Sequence, residues 1–69
     1  MDTEEVIERA TDFLQKKAGY YSFKLLSVRF DEARKVWDLR FDVGLFVERI
    51  VSLTIDDASG RVTSYESPK

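Results

Sequence analysis

The chain contains no cysteine, no histidine and no asparagine. Without cysteine, neither disulfides nor thiolate-held metal can staple it, so it must fold on packing alone. Without histidine, the commonest general base and the commonest zinc ligand are missing together. The three glycines stand isolated at positions 19, 44 and 60, which excludes a glycine-rich loop cradling phosphate. Ser22, Ser27, Ser52 and Ser59 have neither a histidine to activate them nor a lysine at motif spacing. No catalytic residue, cofactor or metal is expected.

One sign of charge is also missing as a patch. Eleven basic and thirteen acidic residues leave a net charge of −2, with no basic run to displace counterions from phosphates. Nucleic acid is therefore not an expected partner. No apolar run approaches the roughly 20 residues of a membrane span, so a membrane is not expected either. The opening Met1-Asp2-Thr3-Glu4-Glu5 is acidic where a signal peptide would be basic, and the cytoplasm is the expected location. Scarce thermolabile amides beside 35% charged residues lean towards a thermophilic source.

What is present describes one domain over residues 1–69, with 43% hydrophobic residues, too many for disorder. Residues 2–18 have helical spacing. Asp2 fits the N-cap, with Glu5 three residues on, and Met1 can staple onto Val6. Glu4 and Glu5 precede Lys16 and Lys17, as the helix dipole favours, and Gly19 supplies the residue past the end. Val6, Ile7, Ala10, Phe13, Leu14 and Ala18 form one apolar stripe.

After Gly19 the period falls to two. The first strand, from about Tyr20 to Asp31, changes phase midway: Tyr21, Phe23 and Leu25 share one face, then Leu26, Val28 and Phe30. A β-bulge at Leu25-Leu26 returns both sets to one face. The second strand alternates through Trp37, Leu39, Phe41 and Val43. A loop of Glu32 to Lys35 pairs Phe30 with Trp37, Val28 with Leu39, and Arg29 with Asp38. A short turn at Gly44-Leu45-Phe46 leads to the third strand, pairing Val43 with Val47, Leu39 with Val51, Trp37 with Leu53 and Phe41 with Arg49. Asp56 to Gly60 form the last turn, and a short strand follows from Arg61 to about Glu66. The expected fold is α+β: one N-terminal helix packed on a four-stranded antiparallel meander, α-β-β-β-β, with the first and last strands at the edges.

Four features carry possible chemistry. In this register Asp42 faces Glu48 on the open sheet face, where two carboxylates can share a proton or hold a divalent cation, or stay solvated beside Arg40 and Arg49. Asp56-Asp57-Ala58-Ser59-Gly60 has the look of half a calcium loop, yet lacks the later glutamate and reads as turn chemistry. Trp37, Phe41, Phe30 and Phe23 fall on the helix-facing phase, which makes them core rather than a stacking platform for bases. Leu45 and Phe46 occupy a hairpin tip, where polar residues are usual. Either they form a protein contact together with Ile50, or Phe46 folds back beside Ile50.

The order helix, then a meander containing Val36-Trp37, then Ser52-Leu53-Thr54-Ile55-Asp56-Asp57-Ala58-Ser59-Gly60-Arg61-Val62, resembles the PepSY family. That resemblance implies a non-enzymatic regulatory domain that modulates a partner protein such as a peptidase. The topology also resembles cystatin-like folds, but the Gln-x-Val-x-Gly loop of the inhibitors is absent and their activity is not carried over. The expected function is a small interaction or regulatory domain with a protein partner. The alternative is a self-associating structural subunit, a homodimer through the open sheet face or the hairpin tip.

Overall fold

The computed structural model describes residues 1–67. It has the expected order: helix α1 (Thr3–Lys16), then strands β1 (Lys24–Asp31), β2 (Val36–Asp42), β3 (Ile50–Asp56) and β4 (Val62–Glu66). The strands form one antiparallel sheet in the order β1-β2-β3-β4.

Local chemistry sets the helix ends. The Asp2 carboxylate accepts a 2.8 Å hydrogen bond from the Glu5 N–H, using one of the donors a helix start leaves open. At the far end Gly19 takes φ +79°, a conformation that costs other residues, and the Tyr20 N–H reaches back to the Leu14 carbonyl at 2.8 Å. Val6, Ala10 and Leu14, spaced by four, are fully buried, while Ile7, Phe13 and Ala18 flank them half-covered. This stripe lies on Leu39, Phe41 and Val43 of β2 and the segment after it, and on Val51, Leu53 and Ile55 of β3.

The β1–β2 hairpin has the expected register: Phe30 opposite Trp37, Val28 opposite Leu39, Arg29 opposite Asp38. The bulge is present too, since the pairing shifts between Leu25 and Ser27 and leaves Leu26 extra. Asp31 caps the turn, its carboxylate accepting from the N–H groups of Ala33 and Arg34 at 3.0 and 3.2 Å. β1 starts later than expected. Residues 20–23 connect rather than pair, with Phe23 packing edge-on against Phe41 at 5.8 Å.

The β2–β3 register differs from expectation by two residues. Phe41 faces Val51, Leu39 faces Leu53 and Trp37 faces Ile55. Expected were Phe41 against Arg49, Leu39 against Val51 and Trp37 against Leu53. The observed register makes all three inward pairs apolar and keeps arginine out of the core, which a larger loop permits. Val43 still pairs by backbone, but with Arg49: its N–H donates to the Arg49 carbonyl at 2.8 Å. Val47 therefore belongs to the loop.

Two core assignments also change. Phe30, expected beneath the helix, is 37% exposed, because α1 packs chiefly over β2 and β3. Its ring rests on Trp37 at a centroid distance of 5.0 Å. Val36, on the opposite phase, is buried outside the main core cluster.

Candidate functional site

The loop between β2 and β3 is built around Asp42. Its carboxylate accepts from the Gly44 N–H at 3.0 Å and the Arg49 N–H at 3.1 Å, clipping both ends of the loop to one side chain. These two backbone donors, with Lys24 nearby, hold the Asp42 carboxyl below the usual aspartate value of 3.8. Gly44 is required by close approach: a Cβ here would fall on the Val47 carbonyl. Val43 anchors the loop from below, buried in the core cluster.

Above that anchor the chain presents three consecutive apolar side chains. Leu45 is 75% exposed, Phe46 99% and Val47 72%. Ile50, at the start of β3 and opposite Asp42, is partly exposed beside them. Phe46 therefore does not fold back onto the sheet. Leu45, Phe46 and Ile50 were legible as a candidate contact from sequence, whereas Val47 was missed because the expected register placed it in a strand. The signal was available: Phe41 opposite Arg49 was the one polar mismatch in that register.

The other candidates resolve differently. Asp42 faces Ile50 rather than Glu48, and Glu48 lies in the loop, so the expected carboxylate pair does not form. The physical cause is the two-residue register change together with capture of Asp42 by the loop N–H groups. Asp56 accepts from the Ser59 N–H at 2.8 Å and Gly60 takes φ +72°, which is turn chemistry. The Ser59 N–H, and after it the Ser59 hydroxyl, hold the Asp56 carboxyl below the usual aspartate value of 3.8. Among the described residues no cluster of acidic side chains has the arrangement to hold a metal ion. Trp37 is half-buried against the core, with its indole nitrogen bonded to Asp57.

The middle of the open sheet face, opposite the helix, is polar. Arg29, Asp38, Arg40 and Ser52 line it, and the Thr54 hydroxyl donates to Asp38 at 3.1 Å. Among the described residues no helix is long and apolar enough to cross a membrane.

The fold thus defines the chain as an α+β protein with one helix on an open antiparallel sheet. No family model matches it, and no similar curated protein or solved structure is found.

Proposed function

We propose that this chain is a non-enzymatic interaction domain, acting in the cytoplasm, whose β2–β3 tip inserts Leu45, Phe46 and Val47 into a pocket of a partner protein. PepSY-like modulation of that partner is the form of regulation the sequence resemblance suggests. The observation that carries the reading is Phe46, an aromatic side chain 99% exposed at the end of a loop clipped by Asp42. Folding gains nothing from its burial, whereas binding would. Burying each of the three side chains is worth roughly 1.5–3 kcal/mol, and interface anchors are typically aromatics with few rotors to freeze. Losses of rotational freedom on association consume much of that sum, so the tip supplies an anchor within a larger contact.

Among the described residues no charged side chain is buried, which supports a non-catalytic role, since catalytic groups need enclosure to tune their pKa. Self-association through the tip is the second reading, favoured by the same exposed residues. A photo-crosslinking phenylalanine at position 46, introduced in the native host, separates the two. The expected result is a crosslink to a different protein that binds the purified chain and loses affinity for the Leu45→Ser, Phe46→Ser double variant. Crosslinks only between copies of the chain would favour self-association instead. A large loss of thermal stability in the double variant would overturn both readings.

A further inference from the structure

The two sheet edges differ in chemistry. On β4 the exposed side chains are Thr63, Ser64 and Glu66, while Val62 and Tyr65 pack inward. On β1, Leu26 is 45% exposed and Phe30 and Leu25 37% each, with half-buried Val28 between them, because α1 packs chiefly over β2 and β3. The outer backbone groups of β1 face no strand among the described residues. An edge that is both apolar and unpaired is a template for another strand.

We propose that β1 pairs antiparallel with β1 of a second copy, about a two-fold axis through Val28, joining two four-stranded sheets into one. The pattern of β1 selects both the occupant and the register. The bulge makes Leu25 and Leu26 count as one position. With Val28 on the axis, Ser27 then faces Arg29 of the second copy, Leu25-Leu26 face Phe30, and Lys24 faces Asp31. Every opposed pair shares a sheet face: Phe30 and Leu25-Leu26 on the helix side, Lys24 and Asp31 on the open side, where they are opposite in charge. Neighbouring registers fail. An axis through Ser27 sets Lys24 against Arg29, and one through Arg29 sets that arginine against itself; like charges directly opposed are destabilising. An axis through Phe30 sets Val28 against Glu32. Of these four axes, the one through Val28 alone sets apolar side chains against apolar ones and Lys24 against an acidic partner, and because the pairing is isologous each contact off the axis occurs twice.

Charges and bulges often protect an edge from such pairing. Here Lys24 meets an acidic partner, and the bulge falls opposite the large Phe30 ring, so neither device opposes this register. The contact involves one strand from each copy, smaller than the roughly 1,200 Å² of a standard interface, and the dimer is correspondingly weak.

This inference is independent of the tip, which lies on the β2–β3 loop. Sedimentation equilibrium into the millimolar range should show a reversible monomer–dimer equilibrium. Lys24→Glu, at an exposed position, should weaken it by about tenfold or more through repulsion from Asp31 and Glu32. Adding Glu32→Lys should restore association while leaving the Asp31 turn cap intact. The chain has no cysteine, so Val28→Cys provides a unique thiol. Opposed Cα atoms on the axis lie about 4.5–5.5 Å apart, within disulfide range, and Val28→Cys should crosslink on oxidation much faster than Ser64→Cys on β4. A chain monomeric throughout, a dimer indifferent to Lys24→Glu, or equal crosslinking at positions 28 and 64 would each overturn the proposal. Circular dichroism of each variant confirms that folded protein is being compared.

Discussion

The indole Nε1 of Trp37 donates a 2.8 Å hydrogen bond to Oδ1 of Asp57, twenty residues on. It ties β2 to the turn between β3 and β4. The Asp57 N–H in turn donates to the Lys35 carbonyl at 3.1 Å, so the turns at this end of the sheet are held together. Asp57→Ala leaves a half-buried indole N–H without its charged acceptor and should cost about 1–3 kcal/mol. Asp57→Asn keeps an oxygen in place and should cost less. Urea unfolding monitored by tryptophan fluorescence measures both; equal stability of Asp57→Ala and the parent would show the bond to be incidental.

Leu39 tests the placement of the core. It is 1% exposed, between Val28 on one side and Leu53 on the other. Leu39→Ala removes buried methyls and leaves a cavity, a loss of about 2–5 kcal/mol. Small domains have total stabilities of about 5–15 kcal/mol, so much of the variant should unfold at moderate denaturant. An unchanged melt would mean that the sheet faces the other way.

Hydrophobic alternation made several of these features readable in advance. The phase change at Leu25-Leu26 has no regular-strand explanation, and it located the bulge. Asp2 marked the helix start by capping chemistry alone, while the helix ends at Lys16 with Lys17 as its cap, two residues earlier than Gly19 suggested. The register of β2 on β3 was less legible, because a slip of two residues keeps every side chain on its face. Only the mismatch of Phe41 with Arg49 distinguished the two choices. The exposure of Phe30 was not legible at all: alternation names the face of a strand but not where along the sheet a helix will lie. The Trp37–Asp57 bond likewise depends on two turns meeting in space. For the candidate site, Leu45 and Phe46 were found because apolar residues at a turn are unusual, while Val47 was hidden by the register.

Acid should act through two aspartates. Asp42 and Asp56 both titrate below 3.8, held there chiefly by backbone N–H donors from Gly44 and Arg49 in one case and Ser59 in the other. A carboxyl whose folded pKa is depressed stabilises the fold fully above its unfolded pKa, and the contribution is lost as pH falls through the folded value. Urea midpoints should therefore be steady at neutral pH and decline below about pH 4. Asp42→Asn and Asp56→Asn, which no longer ionise at these positions, should each flatten that decline. Acid profiles parallel to the parent's would show that these carboxylates contribute nothing to the pH dependence.

Gly44 offers the sharpest test of the tip. Its backbone passes so close to Val47 that an added Cβ would coincide with the Val47 carbonyl. Gly44→Ala cannot be absorbed by a side-chain rotation, because the obstacle is backbone. The loop must move, and movement strains the bonds from Asp42 to the Gly44 and Arg49 N–H groups and the Val43–Arg49 backbone pair. Overpacking of this kind costs about 1–3 kcal/mol. By contrast, Phe46→Ser alters a side chain 99% exposed and should stay within about 0.5 kcal/mol of the parent. The amide spectrum of Gly44→Ala should change around residues 43–49 while the helix and β4 keep their positions. If Gly44→Ala were neutral and its amides unmoved, the loop would have room that this geometry denies, and Phe46 would lose the fixed support on which its role as an anchor depends.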